Sequence, residues 1–281
     1  MSEKQPVYHD TEHERMFETS YLNLEEAQRR AKKILDDAEV KTDLFVGLYD
    51  EEVLKRDAHE VERLESLFDR SPSKIFGDIL EAVVCEHGEL SDWFGPQAQI
   101  IKTARFDDYI NKIDMVIEFE DDEKRFSHLA LGIDVTFGSR DLRKKFEAIR
   151  AKIDSGELGE VKYFHSERQH FMGRKRKLPQ VVIGTEMERV KELGLLWMNR
   201  KNKELGEHPV QIMILEEAML QLETFADYAR HTSKDALTAI FEAELQKIRT
   251  LLQEKKTSGM KGIKDDKVFE EIKRNLFSFS D

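Results

Sequence analysis

Two acidic residues interrupt the apolar segments of the stretch from Ile110 to Phe137, and this pattern constrains the fold more than any other feature. Asp114 lies within the apolar run 113–117, and Asp134 lies within the apolar run 129–135. A charged turn separates the two runs, so the pattern predicts two neighbouring strands. An unpaired carboxylate is costly to bury in an apolar strand, so each residue needs a proton, a partner or a cation. Two such residues on adjacent strands therefore predict a divalent metal site.

The composition allows a large core and limits how the chain could bind nucleic acid. Of the 281 residues 40% are hydrophobic, which is enough for one large domain or for a domain with appendages. Charged residues make up 36% of the chain, and the net charge is −12. A protein that holds nucleic acid by bulk attraction is normally basic, so any such contact here has to come from a local patch.

The sequence also carries information about the compartment. Cys85 is the single cysteine and can form no intramolecular disulfide. The first residues contain no apolar segment of the kind that directs secretion. No run approaches the roughly 18 apolar residues that a membrane span requires. We therefore expect a cytoplasmic protein that makes no use of a membrane.

Hydrophobic periodicity divides the chain into three parts. It predicts an N-terminal helical extension over residues 1–70, an α/β core over 71–205, and C-terminal helices packed on the core over 206–281. Within the core, a long polar connection is predicted over 154–179. The predicted regular elements of the core are a helix over 74–87 ended by Gly88, a strand over 98–105, the two strands described above, a helix over 140–153 and a strand over 179–185.

The C-terminal part is predicted to contain two long amphipathic helices, over 210–230 and 233–255. Their apolar stripes fit two arrangements. They are either part of the core of the same chain or the interface of a homodimer.

The order of these elements, from Ser73 to Gly184, resembles the core of the PD-(D/E)xK nuclease superfamily, the restriction-endonuclease-like αβββαβ fold with a small mixed sheet. In that family the first helix often carries Glu, the second strand Asp, and the third strand an acidic residue followed two positions later by Lys. Glu81, Asp114 and Asp134 stand at these places here. The resemblance implies a metal-dependent nuclease in which these three side chains and the carbonyl of Val135 bind Mg²⁺ or Mn²⁺.

The chain departs from the family pattern at Thr136, which stands where the family has its lysine. Some members carry that lysine on the following helix. Lys145 comes three residues after Leu142 and four before Ile149, so it is predicted to share the sheet-facing side of that helix. Lys144 points about 100° away on a helix of this pitch. Lys145 is therefore the candidate for a relocated catalytic lysine.

The chemistry that the resemblance implies needs these residue types. Phosphodiester hydrolysis must stabilise charge on phosphate oxygens and supply a hydroxide at neutral pH, and Mg²⁺ held by carboxylates does both. A lysine beside the metal helps to orient or deprotonate the attacking water. The candidate phosphate contacts are the consecutive basic residues Arg174, Lys175, Arg176 and Lys177. DNA is favoured over RNA as the substrate on the resemblance alone.

Two other functions remain open at this point. The first is a catalytically inactive nuclease-fold protein that serves as a binding or scaffold module, which Thr136 and the acidic net charge favour. The second is a helical adaptor in which the small sheet is only structural. Asp107 and Asp108 are interpreted as turn residues that form local hydrogen bonds, without a part in the site.

Overall fold

The computed structural model describes residues 23–68, 72–121, 123–134, 139–263 and 265–279. Helices lie on both sides of a central region in which strands and helices alternate. The helices are α1 (Leu24–Ala38), α2 (Glu51–Phe68), α3 (Pro72–Leu90), α4 (Ser139–Ser155), α5 (Met187–Met198), α6 (Asn202–Gly206), α7 (Val210–His231), α8 (Asp235–Thr257) and α9 (Lys267–Leu276). The strands are β1 (Ala98–Lys102), β2 (Met115–Glu120), β3 (Phe126–Asp134), β4 (Gly159–Ser166), β5 (Phe171–Leu178) and β6 (Gln180–Gly184).

Four strands form a mixed sheet in the order β1-β2-β3-β6. The pairs β1–β2 and β2–β3 are antiparallel, whereas β3 and β6 are parallel. The chain crosses from β3 to β6 through α4 and the separate two-stranded sheet of β4 and β5. The predicted α/β class with a small mixed sheet is therefore confirmed.

The central strands are apolar at consecutive positions because both faces of the sheet are covered. Met115 and Ile117 of β2 belong to the large core that the helices form, and Val116 between them belongs to a second core. Leu129 and Leu131 of β3 alternate with neighbouring residues in the same way. Successive side chains of a strand point to opposite faces of the sheet. A strand that is buried on both faces therefore lacks the alternation of apolar and polar residues.

The structure contradicts the long polar connection that was predicted over 154–179, because part of this segment belongs to the second core. This segment forms the antiparallel hairpin of β4 and β5, and its side chains Val161, Tyr163 and Phe164 are fully buried against the sheet. The prediction was wrong because β5 is mostly exposed and strongly basic, which hides its strand character. A hairpin with one solvated strand resembles a loop in its composition.

Helices from both ends of the chain contribute to the large core. Ala27 and Ala31 of α1 pack in the same cluster as Phe225 of α7 and Phe241 of α8. The apolar stripes of α7 and α8 are thus used inside the chain, as the first of the two predicted arrangements required. Among the described residues, no helix is both long and apolar enough to cross a membrane.

The outer edges of the sheet are occupied by side chains. Gln221 of α7 accepts a hydrogen bond from the amide of Val182 at 2.8 Å and donates one to its carbonyl at 2.6 Å. At the other edge, Glu89 of α3 accepts from the amide of Ile100 at 2.7 Å. These side chains take the place that a further strand would otherwise fill.

Gly88 was predicted to end its helix, and this prediction was wrong because α3 continues to Leu90. A Cβ atom added at Gly88 would lie 2.8 Å from Cγ1 of Ile100, which is closer than side chains tolerate. The glycine therefore allows α3 to approach β1 closely. Gly77 is another glycine of α3, and a Cβ atom added there would have no atom within 4 Å.

These two glycines give a matched test of the packing. Gly88→Ala is expected to lower the free energy of unfolding by about 1–3 kcal/mol through overpacking against β1. Gly77→Ala is expected to raise it by up to about 1 kcal/mol, because alanine is the better helix former. Urea unfolding of both variants measures the difference, and equal shifts would show that Gly88 does not serve close packing.

Candidate active site

A cavity of about 210 Å³ opens where β3 ends. Its walls come from the π-helical turn Asp107–Asn111, the segment that leads into β2, the last residues of β3, and α4. The side chains that line it are mostly charged, and they are Asp108, Tyr109, Lys112, Asp114, Ile133 and Lys145. We call this cavity the cleft.

Asp114 lies one residue before β2 and is held against β3. Its amide donates to the carbonyl of Leu131 at 2.9 Å, and its Oδ2 accepts from the amide of Ile133 at 2.5 Å. The backbone and the side chain of Asp114 thus both form hydrogen bonds with the last residues of β3. Because Ile133 precedes Asp134, the Asp114 carboxylate lies beside the strand residue that the family resemblance pairs with it.

Lys145 reaches the same place from α4. The neighbours Leu142 and Ile149 are buried while Lys144 is exposed, as the helical phase predicts. The Lys145 Nζ donates to the carbonyl of Ile133 at 3.0 Å. The structure therefore places the Lys145 ammonium and the Asp114 carboxylate on the two backbone groups of a single β3 residue.

Glu81 enters the site through an ion pair. Lys102, the last residue of β1, has a side chain that is 6% exposed, and its Nζ lies 2.8 Å from Oε1 of Glu81. The same Nζ lies 2.9 Å from Oδ2 of Asp108. Glu81 therefore joins the site by way of Lys102, whereas Asp108 lines the cleft itself.

Asp108 and Asp114 both line the cleft, and a hydrogen bond from the Asp114 carboxyl helps to lower the pKa of Asp108. Burial and the negative charges of Asp108 and Glu81 raise the pKa of Asp114 well above its ordinary value. Burial also acts to raise the pKa of Asp108, but the Lys102 ammonium and the bond from Asp114 outweigh it and lower that pKa. Two carboxyl groups in contact cannot both ionise without positive charge beside them.

Lys102 and Glu81 show the same competition between burial and charge. Burial raises the pKa of Glu81 to about 7, against the opposing charge of Lys102. Burial acts to lower the pKa of Lys102, but Asp108 and Glu81 outweigh it and hold that pKa well above its ordinary value. Lys102 is thus a permanent cation inside the cluster.

The donors in the cleft suit a divalent cation in their chemistry. Carboxylate oxygens are the ligands that Mg²⁺ prefers, and the cavity is ample for an ion with waters, since one water needs about 10–15 Å³. Among the side chains that the structure describes, no three His, Cys, Asp or Glu groups are arranged to hold a metal. The Asp134 side chain, Val135 and Thr136 lie outside the described residues. Asp134 is the donor that the family resemblance adds to this set.

Sequence reasoning missed Lys102 and misjudged Asp108. Asp107 makes the predicted local hydrogen bond, because its Oδ1 accepts from Nδ2 of Asn111 at 2.6 Å. Its carboxylate also accepts from the distant amides of Lys162 at 2.6 Å and Tyr163 at 2.9 Å, which the sequence did not predict. Asp108 instead bonds to Lys102 and Asp114. The sequence did offer one indication of this cluster, because Lys102 ends an apolar strand. A lysine that is buried at such a position needs a carboxylate partner.

The basic run lies on β5, and none of its residues lines the cleft. Arg174 and Arg176 both pair with Glu160, at 3.2 Å and 2.9 Å. Lys175 lies over the rings of Phe164 and Phe171, with its Nζ 5.7 Å and 5.9 Å from their centroids. Part of the charge predicted for phosphate contacts is therefore balanced within the hairpin.

Comparison with known proteins does not identify a relative. No protein-family model, curated protein or solved structure matches the chain. The function therefore has to be argued from the residues of the cleft and from their geometry.

The ion pairs of Lys102 predict a large effect of its removal. Lys102→Met leaves the Glu81 and Asp108 carboxyl groups buried without their cation, so we expect the free energy of unfolding to fall by about 3–5 kcal/mol. The matched change Lys191→Met removes a lysine that lies 2.8 Å from Glu188 at an exposed site. Lys191→Met should lower the free energy of unfolding by less than about 1 kcal/mol. Similar losses in both variants, measured by urea unfolding, would contradict a buried charge cluster.

The raised pKa of Glu81 predicts a pH dependence of stability. Its ordinary value of 4.5 rises to about 7 in the folded protein, so between these values the folded state binds a proton that the unfolded chain releases. The free energy of unfolding therefore decreases as the pH rises through this window, by on the order of 3 kcal/mol for this group. Glu81→Gln should flatten the profile measured by urea unfolding at several pH values. The exposed control Glu188→Gln should leave it unchanged, and parallel profiles for all three proteins would rule this linkage out.

Proposed function

We propose that the chain is a metal-dependent nuclease that hydrolyses phosphodiester bonds at the cleft, with DNA favoured over RNA. The observation that carries the proposal is the meeting of Asp114 and Lys145 at Ile133. A carboxylate and an ammonium from distant parts of the chain converge there, next to the acidic residue at the end of β3. This is the arrangement that the family resemblance requires of a relocated lysine.

The order of elements supports the same proposal. Helix α3 precedes the antiparallel strands β1, β2 and β3, and α4 then leads to β6, which is parallel to β3. We propose that these elements form a restriction-endonuclease-like core. The hairpin of β4 and β5 is then an addition between α4 and β6.

Within this proposal, Mg²⁺ or Mn²⁺ would supply a Lewis acid for the phosphate and a hydroxide near neutral pH. Asp114, Asp134 and the carbonyl of Val135 would hold the ion. Asp108 adds a carboxylate beside Asp114, and Glu81 would act through Lys102. The donors are all hard oxygens, in keeping with either cation.

The cationic residues have separable tasks in this mechanism. Lys145, fixed by the carbonyl of Ile133, would orient the attacking water and offset negative charge on the phosphate. Lys112 lies on the cleft and adds positive charge where the substrate enters. Lys102 holds Glu81 and Asp108 in place from inside the protein. The basic residues Arg174, Lys175, Arg176 and Lys177 would contact phosphates outside the cleft.

Cleavage assays test the proposal directly. Asp114→Asn and Lys145→Met are each expected to reduce the cleavage of plasmid, linear DNA or RNA in Mg²⁺ or Mn²⁺ by about 100-fold or more, because each removes a group that acts on the reacting phosphate. Lys144→Met is the matched control, since its side chain is exposed on the same helix. Equal background cleavage by all four proteins on every substrate would remove the catalytic claim.

The second candidate function is an inactive nuclease-fold protein that serves as a binding or scaffold module. The observation that favours it is Lys102, which already supplies a cation to Glu81 and Asp108. Calorimetric titration with Mg²⁺ and Mn²⁺ separates the candidates. Binding that Asp114→Asn abolishes supports the nuclease. Absence of binding at millimolar cation, or binding indifferent to this change, supports the scaffold.

A further inference from the structure

Lys112 is an exposed residue whose backbone adopts the left-handed conformation beside the cleft. It follows the π-helical turn with φ 57° and ψ 41°, and its amide donates to the carbonyl of Asp107. Helical turns commonly end in this conformation, but the usual residue is Gly or Asn, because a larger side chain is strained there. The turn therefore explains the conformation but not the choice of a lysine. Lys112 lines the cleft together with Asp108, Asp114 and Lys145.

The carbonyl of Lys112 is held by a side chain of the sheet. Gln180, the first residue of β6, donates from Nε2 to this carbonyl at 2.7 Å. Its Oε1 accepts from Nζ of Lys152, on α4, at 3.1 Å. An ammonium group can only donate and a carbonyl can only accept, so these two partners fix the orientation of the Gln180 amide. Gln180 is 8% exposed, so loss of either bond would leave a buried polar group unpaired.

Further contacts fix the chain on both sides of this carbonyl. The carbonyl of Ile113 accepts from Oγ1 of Thr103 at 2.6 Å, and the amide of Asp114 donates to β3. Gly132 of β3 leaves room for the Lys112 carbonyl, because a Cβ atom there would lie 3.3 Å from its oxygen. Strained conformations persist where the surrounding contacts determine them, and such positions cluster at functional sites. The contacts around Lys112 thus fix the direction in which its side chain leaves the backbone.

We propose that Lys112 binds a phosphate group of the substrate strand in the cleft and that Gln180 is the positioning residue that holds Lys112 for this contact. The proposal rests on the proposed function, because it takes the substrate from there. It adds a substrate contact by a cation other than Lys145, and it gives a task to a buried amide of β6.

A purely structural task for Lys112 would be to balance the acidic side chains of the cleft. Asp108 already has the Lys102 ammonium at 2.9 Å, and Asp114 accepts from the amide of Ile133. The buried part of the cluster therefore contains a cation of its own. An exposed ammonium group at the same cavity is placed to meet an anion that arrives from solvent, and lysine binds phosphate as a point charge.

The first test measures binding without cleavage. Fluorescently labelled oligothymidine and oligouridine of equal length are titrated with the full chain in EDTA at several salt concentrations, and their anisotropy is recorded. Lys112→Met should weaken binding and reduce the slope of log affinity against log salt by about 0.7, the value for one phosphate contact on a single strand. Lys112→Arg should retain the slope. Unchanged affinity and slope in Lys112→Met would overturn the phosphate contact.

The left-handed conformation of Lys112 provides a matched pair of variants. Lys112→Gly should weaken oligonucleotide binding as Lys112→Met does, yet raise the urea concentration at the midpoint of unfolding, because glycine adopts this conformation without strain. Lys124→Gly is the control, since Lys124 also has a φ of 57°, in the turn between β2 and β3, and does not line the cleft. It should raise the midpoint and leave binding unchanged. Equal losses of affinity in both variants, or a lower midpoint with unchanged binding in Lys112→Gly, would contradict the proposal.

A double-mutant cycle tests Gln180. Gln180→Met removes both bonds of the amide and keeps the charge of Lys112, so it should weaken binding by about two- to tenfold, as expected for one hydrogen bond. In the Lys112→Met background the same change should have no further effect, because Gln180 acts through Lys112. Additive losses in the double variant, or no loss in Gln180→Met, would overturn the positioning role. Urea unfolding shows whether each variant remains folded, and the variants of the exposed Lys112 test the phosphate contact even if Gln180→Met does not fold.

Binding and cleavage together separate this proposal from the proposed function. Binding that depends on Lys112 and Gln180, with no cleavage of any substrate in Mg²⁺ or Mn²⁺, removes the proposed function alone. Cleavage that Asp114→Asn abolishes, with binding and KM unchanged in Lys112→Met, removes this proposal alone. Absence of binding to both oligonucleotides would overturn the phosphate contact as well.

Discussion

The position of every described group in the cleft depends on β3. This strand is hydrogen-bonded on both sides and covered on both faces, so its register is fixed by pairing and by burial together. Its residue Ile133 receives Lys145 at the carbonyl and Asp114 at the amide. A slip of one residue would exchange the two faces of the strand and would separate these contacts. The chemistry proposed for the cleft therefore needs the core to be packed as it is.

Burial of charge is the cost of this arrangement, and Lys102 offsets much of it. The cluster holds the carboxyl groups of Glu81, Asp108 and Asp114, and the Lys102 ammonium contacts the first two. Burial and the neighbouring negative charges raise the pKa of Asp114, whereas the pKa of Asp108 is lowered, so the two carboxyl groups favour different protonation states. Ligands bind a metal in their deprotonated form, so a divalent cation at Asp114, as proposed above, would act against the raised pKa of this residue.

Sequence reasoning succeeded where the determining pattern is local. The helical phase placed Lys145 towards the sheet, and the interrupted apolar runs located β2 and β3, although Asp114 precedes β2 and does not lie within it. It did not foresee the ion pair of Glu81 with Lys102, because that contact joins residues 21 positions apart and no local pattern encodes it. The hairpin was missed for another reason. The outward face of β5 is polar and basic, and the apolar character of β4 was not weighed against it.

The closed edges of the sheet restrict how a partner can bind. Gln221 occupies the backbone groups of Val182 in β6, and at β1 Glu89 takes the amide of Ile100 while the amide of Val40 takes the carbonyl of Lys102 at 3.2 Å. Addition of a strand at either edge would first have to break these bonds, so recognition by strand addition is disfavoured. A partner that approaches these two edges must therefore be recognised by side chains. In a chain with a net charge of −12, an anionic partner is repelled at long range and held only by short contacts with local cations. Lys112 and Lys145 in the cleft and the arginines Arg174 and Arg176 of β5 provide such cations.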